Sequence, residues 1–137
     1  MKYEVVSEKR IKYEVTVRTP ADAYQVLERY RTRRREHLFA LNLNGVHMIT
    51  AVRIVAIGTV NRSLVHPREV FRRAIIDNAA AVVVAHNHPS GSLEPSDEDH
   101  EVTRRLVQAG QLIGISVLDH LIISRNGYFS FLEHSLM

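Results

Sequence analysis

His86-Asn87-His88-Pro89-Ser90-Gly91 is followed by Ser96 and Asp99, which sets two imidazoles one residue apart and a carboxylate eleven residues after the second. Neutral imidazole is a common ligand for zinc and similar ions. Catalytic zinc sites typically use three protein ligands and keep a fourth position for water. His86, His88 and Asp99 therefore read as a three-ligand metal site, and the chemistry such a site performs is metal-dependent hydrolysis.

The elements around these residues decide whether they can converge. Ala81-Val82-Val83-Val84-Ala85 is short, continuous and rich in β-branched residues, the pattern of a buried central strand. Side chains at i and i+2 on a strand share a face, so His86 and His88 project together if the strand geometry runs that far. Pro89 biases His88 toward an extended backbone, and Ser90-Gly91-Ser92 lets the chain turn. Ser96 with Asp99 three positions on resembles a capping box ahead of a helix with Val102, Leu106 and Ala109 on one stripe. Taken alone, that pair is a well-capped helix start, a role compatible with Asp99 also serving as a ligand. A hydrolase also needs a base. Glu36 is the leading carboxylate, at the boundary between a basic helix and the strand pattern from His37 to Leu43; a solvated helix end is its plainer reading.

The combined pattern resembles the JAMM motif of the JAB/MPN metalloprotease superfamily: His86-x-His88-Pro89-Ser90-Gly91, Ser96-x-x-Asp99, and Glu36 about fifty residues upstream. The His86–Gly91 run, Pro95-Ser96 and Leu118-Asp119-His120 are similar to the RadC-like branch, formerly described as DNA repair proteins, over most of the chain from about Thr19. The resemblance implies an α/β fold of the JAB/MPN, cytidine-deaminase-like type, with a mixed β-sheet flanked by helices. It implies one zinc ion per chain on His86, His88 and Asp99. It implies that Glu36 holds and deprotonates the water, and that Ser96 stabilises the oxyanion during attack on a peptide or isopeptide carbonyl. Asn87 and Ser90 are expected to orient ligands or contact substrate, and His120 reads either as a partner behind the metal or as a packed strand residue. The remaining histidines, His37, His47, His66, His100 and His134, read as surface or satisfied core residues. Residues 1–18 are expected to form an extension or strand and 19–137 the domain itself, without the helix-hairpin-helix region that precedes it in longer members. That portion is the one most readily linked to DNA.

Composition agrees with a folded enzyme of one domain. The chain has 137 residues, 45% hydrophobic and 24% charged, ordinary for a globular protein with one core. It has no cysteine, so disulfides and thiolate ligands are excluded and any metal must be held by nitrogen and oxygen. Met1-Lys2-Tyr3-Glu4 opens no signal-peptide pattern and no apolar run spans a bilayer, so a cytoplasmic location and no membrane partner are expected. The net charge of +3 conceals a basic first half, +7 over residues 1–68, and an acidic second half, −4 over residues 69–137. The basic part centres on Arg29 to Arg35. Arg31, Arg33, Arg34 and Arg35 read either as a solvated helix end or as a contact for nucleic acid or an acidic protein. An accessory protein that binds nucleic acid is accordingly the main alternative, and a metal-dependent nuclease combines the two readings.

The scaffold follows from local pattern. Ile11 to Val17 alternates as a half-buried strand. Thr19-Pro20 starts a helix through Ala23, Leu27 and Tyr30. Leu38 to Leu43 is a strand, Asn44-Gly45 a hairpin signal, and Val46 to Val60 one or two strands bent at Gly58. His66-Pro67 opens a second helix with Val70, Phe71, Ala74 and Ile75 inward. A strand from Ile115 to Ser124 and a last one from Tyr128 to Leu132, joined by Asn126-Gly127, complete an α/β pattern.

Overall fold

The computed structural model describes residues 14–61 and 64–137, together with the backbone of residues 4–5. The strands are β1 (Glu4–Val5), β2 (His37–Leu43), β3 (Ile49–Ile57), β4 (Ala81–Asn87), β5 (Ser116–Ser124) and β6 (Gly127–Ser130). The helices are α1 (Pro20–Leu27), extended by a 3-10 turn at Glu28–Tyr30, α2 (Pro67–Ile76) and α3 (Asp97–Ile113). The strands form one mixed sheet in the order β1-β3-β2-β4-β5-β6. β4 and β5 run parallel, with α3 as the crossover between them; the other pairs are antiparallel. Among the described residues no helix is long and apolar enough to cross a membrane.

Strand alternation sorts the side chains of this sheet into two cores. Phe39, Leu41, Val83, Ala85, Leu121 and Ile123 pack with Ala23 and Leu27 of α1 on one face. Leu38, Ala40, Val82 and Val84 pack with Val70 and Phe71 of α2 and Val102 and Leu106 of α3 on the other. β2 and β4 are buried along their whole length, which agrees with the apolar runs Leu38–Leu41 and Ala81–Ala85 at their centres. The α3 crossover sits close to the sheet at Gly110, where an added Cβ would lie 2.4 Å from the Ile115 carbonyl oxygen and 3.3 Å from the Phe71 ring.

Most local signals are realised. Thr19 and Asp22 form a capping box with Pro20 in the first turn of α1, and the His66 ring caps α2 by accepting from the Arg68 N–H. Two expectations need correction. Of the strand expected from Ile11 to Val17, residues 11–13 lie outside the described residues, and 14–17 make an isolated bridge, Thr16 with Met48, in place of a strand. Ile75 is 57% exposed, because it falls on the outer side of a helix whose inner stripe is Val70, Phe71 and Ala74. The β2–β3 hairpin turns at Asn44-Gly45 as expected, with His47 at positive φ (φ 63) and the Asn44 side chain accepting from Val46 and Met48. Arg31 to Arg35 lie beyond the helical turns; Arg31 still donates to the carbonyl of Glu28, the C-cap of α1, at 3.0 Å, as a cation at a helix end does, whereas Arg33, Arg34 and Arg35 stand exposed.

Asp77, which caps the C-terminus of α2, is held by Arg53 of β3 and Asn42 of β2, at 3.0 Å from Arg53 Nε and 2.6 Å from Asn42 Nδ2. Burial pushes the Asp77 carboxyl up, but the bonds from Arg53 and Asn42 outweigh it and leave it below the usual carboxylate range. A carboxyl with a depressed folded value contributes stability above its unfolded value, and that contribution is lost as pH falls through the folded value. Asp77→Asn is expected to flatten the acid limb of urea midpoints plotted against pH; an unchanged limb would mean that the pair contributes nothing there. Gly110→Ala is expected to cost about 1–3 kcal/mol in urea unfolding through overpacking, and a neutral result would show that α3 can move away from the sheet freely.

Candidate metal centre

The site is built where β4 ends. His86 continues the series Val82, Val84 and therefore faces α3, whereas Asn87 faces the opposite side of the sheet. His88 lies one residue past β4, yet its N–H still donates to the Ile123 carbonyl at 2.9 Å, so the ladder geometry carries on through it. The two rings consequently meet, with their Nε2 atoms 2.9 Å apart. Asp99 arrives from the first turn of α3. Ser96 Oγ accepts from the Asp99 N–H at 3.1 Å and the Ser96 N–H donates to Asp99 Oδ2 at 2.9 Å, the expected capping box. The Asp99 carboxylate then spans both rings, with Oδ1 3.1 Å from His86 Nε2 and Oδ2 3.2 Å from His88 Nε2. Capping and converging on the histidines are thus performed by the same side chain.

His86 and Asp99 are buried, at 0% and 2% exposure, and His88 is the member open to the cleft. Burial pushes the Asp99 carboxyl up, but hydrogen bonding to His86 and His88 dominates and holds it well below the usual carboxylate range. Burial likewise pushes His88 down, and its contact with Asp99 reverses the direction and raises it. The donor set fits a metal. The ligand atoms of His86, His88 and Asp99 all lie within 4.8 Å of one another. Donors about 2 Å from a tetrahedral zinc stand a little over 3 Å apart, close to the spacing found here. His88 Nδ1 lies 3.0 Å from the Ser92 carbonyl oxygen. A carbonyl accepts only, so His88 Nδ1 carries a proton, and in the neutral ring Nε2 presents a lone pair.

His88 and Asp99 line a cleft of about 400 Å³ together with Glu36, Thr59, Val60, Ser90, Ser96 and Glu98, and His86 is buried against them. Glu36 is fixed there by its Oε2 accepting from the Val60 N–H at 2.7 Å and its carbonyl accepting from the Gly58 N–H at 2.9 Å. Ser96 accepts through one lone pair in the cap and keeps its hydroxyl proton for the cleft. Glu36, Ser96, His88 and Asp99 therefore share one cavity.

Asn87 ties the segment carrying Glu36 to the metal strand. Its Oδ1 accepts from the His37 N–H at 2.7 Å and its Nδ2 donates to the carbonyls of Arg33 and Arg35, both at 3.0 Å. Ser90 stands on the rim, where its hydroxyl accepts from the Ser92 N–H at 3.2 Å, so its bond serves the loop. His120 lies behind His86, with His86 Nδ1 2.8 Å from His120 Nε2. Burial, first of all, holds His120 well below the usual histidine value, and its ring is neutral. Arg33, Arg34 and Arg35 are exposed on the loop leading into Glu36, whereas Arg31 is tied to Glu28. The guanidinium groups of Arg29 and Arg33 lie over the Tyr30 ring at 5.1 and 5.0 Å. The remaining histidines take structural places: His37 bonds the Arg35 carbonyl, His66 caps α2, His47 is in the turn, His100 meets the edge of Phe131, and His134 stacks on Phe129.

Two supports escaped the sequence reading. Arg125 donates to the carbonyls of Pro89 and Ser90, and Ser124 and Asn126 donate to the Gly91 carbonyl, so the turn after β5 holds the motif loop. Gly91 (φ 89) admits the Arg125 guanidinium, which a Cβ would meet at 2.4 Å. Thr103, 2% exposed, contacts His120. Its signal was its place one helical turn after Asp99, where a hydroxyl can bond the Asp99 carbonyl.

Comparison with known proteins agrees with this geometry. The model of the RadC-like JAB domain matches residues 17–136. The chain is 52% identical over 107 residues to a UPF0758 protein of Trichlorobacter lovleyi, covering 78% of this chain and 46% of that protein. It is 50% identical over 119 residues to a UPF0758 protein of Desulforudis audaxviator, covering 86% and 52%. A UPF0758 protein of Symbiobacterium thermophilum is 54% identical over 102 residues, covering 74% and 44%. The chain spans about half the length of these curated relatives. Its α/β architecture, the convergence of His86, His88 and Asp99, and the match over residues 17–136 lead to one conclusion: the chain belongs to the RadC-like JAB domain family.

Proposed function

We propose that the chain is a zinc-dependent hydrolase of the JAMM type that cleaves an amide, peptide or isopeptide. The observation that carries this reading is the meeting of His86, His88 and Asp99, the last two of which line an open cleft that also holds Glu36 and Ser96. A zinc ion on His86 Nε2, His88 Nε2 and Asp99 would supply Lewis acidity toward water and the scissile carbonyl. Glu36, anchored through Oε2 on the Val60 N–H, takes the proton of the attacking water and returns it to the leaving nitrogen. The Ser96 hydroxyl donates to the oxygen on which negative charge develops. Asn87 keeps Glu36 in place by bonding the backbone on both sides of it.

A second reading, contact with nucleic acid, is favoured by the exposed Arg33, Arg34 and Arg35 next to Glu36. It predicts affinity that falls steeply with salt and disappears when these arginines are neutralised. Against a nuclease stands the donor set itself: among the described residues one such group is found, whereas phosphodiester cleavage often uses two metals.

Elemental analysis is expected to find one zinc per wild-type chain and none in His88→Ala or Asp99→Ala; wild-type protein that stays empty after zinc is added back would sink the proposal. Glu36→Gln is expected to retain zinc and lose about 10²–10⁴-fold in turnover of whichever peptide or isopeptide the wild type cleaves. Equal rates in that variant would remove Glu36 from the mechanism. Asn87→Ala is expected to retain zinc, to cost about 1–3 kcal/mol of stability by leaving buried backbone groups unpaired, and to lower kcat more than it raises KM. If zinc is lost instead, Asn87 supports the ligands and not the base.

A further inference from the structure

Two of the three donor residues are joined a second time, behind the site. His86 Nδ1 lies 2.8 Å from His120 Nε2. His120 Nδ1 lies 2.5 Å from Thr103 Oγ1. Thr103 Oγ1 lies 2.7 Å from the backbone carbonyl oxygen of Asp99. His86, His120, Thr103 and Asp99 are between 0% and 2% exposed, so each polar group has to be matched inside the protein.

The directions of these bonds are determined by the last of them. A carbonyl oxygen only accepts. The Thr103 hydroxyl must therefore spend its single proton on Asp99, and it can only accept from His120. His120 then carries its proton on Nδ1 and offers Nε2 as an acceptor. His86 in turn donates from Nδ1, which leaves the lone pair on Nε2, the atom that faces His88 and Asp99. The reverse order would leave two oxygens 2.7 Å apart with no proton between them. It would also place a proton on His86 Nε2, where a metal ligand has to be bare.

The placement of His120 depends on an irregularity in the sheet. The β4–β5 register shifts after Val82↔Val117, so that Val83 pairs with Asp119 and Val84 with His120. Opposed residues share a face, and this shift turns His120 toward His86 and α3. Stacking on Phe131, with centroids 4.8 Å apart and planes 12° apart, then fixes the plane of the ring.

We infer that Thr103 and His120 are positioning residues through which the Asp99 carbonyl sets the His86 tautomer, presenting Nε2 to the metal. The inference rests on the metal-site reading for its purpose, but the tautomer itself can be read without metal. The test uses the full chain and three variants. Thr103→Val keeps the shape of the side chain and removes the hydroxyl, Thr103→Ser restores it, and His120→Phe keeps a ring against Phe131 without an acceptor.

Nitrogen NMR of the histidine rings in the metal-free protein at alkaline pH is expected to show His86 protonated on Nδ1 in the wild type and Thr103→Ser. A mixture of tautomers is expected in Thr103→Val and His120→Phe. Zinc affinity, measured by competition with a chromophoric chelator, is expected to fall about 10–100-fold in those two variants and to stay near wild type in Thr103→Ser. An Nε2-protonated His86 in the wild type, or wild-type tautomer and affinity in Thr103→Val, would overturn the inference. Absence of zinc binding in the wild type would instead overturn the proposed function, with the tautomer result still deciding the positioning role.

Discussion

A carboxylate at 2% exposure is the constraint from which the rest of this site follows. Burying an uncompensated charge is costly enough that the group would ordinarily take up a proton instead. Asp99 accepts from the backbone N–H of Ser96 at the start of a helix and stands against the Nε2 atoms of two histidine rings, where a shared cation would offset its charge. Both histidines must therefore come to one point, and α3 must start there. A cation among the three side chains would supply the compensation that the Ser96 N–H begins. The Asp99 side chain that caps α3 is the same one that meets the two histidines.

The sheet supplies the precision. Alternation along β4 sends His86 toward α3 and Asn87 toward the segment that carries Glu36. One three-residue stretch, His86 to His88, thereby presents two imidazoles that could hold a metal and anchors the segment that carries Glu36. The connections after β5 and before β2 then close over it: Arg125, Ser124 and Asn126 hold the motif loop, and Asn87 holds the arginine-rich loop. Sites held by packed backbone and satisfied hydrogen bonds keep their geometry better than sites on free loops.

The polar residues behind the site form a directed set. Acceptor-only groups, the Ser92 carbonyl for His88 and the Asp99 carbonyl by way of Thr103 and His120, terminate the bonds of both rings. Each ring is then left with its lone pair on the side facing the carboxylate. Such outer partners are a recurrent means of fixing ligand tautomer and orientation.

The residue types and spacing by themselves determined the candidate donor set and its element context, two histidines at the end of a buried strand and a carboxylate in the first turn of a capped helix, together with the order of the helices and of the strands from β2 onward. These are local properties, set by side-chain period, caps and turn chemistry over a few residues. The sequence could not show that Asn87 reaches back fifty residues to His37, that Arg125 supports the Pro89–Ser90 backbone, or that Thr103 meets His120. Nor could it place His120 on the correct face, because a one-residue shift between β4 and β5 reverses the alternation that local pattern assumes. Register between distant strands is decided by packing both faces of the sheet at once, and only the folded chain holds that information.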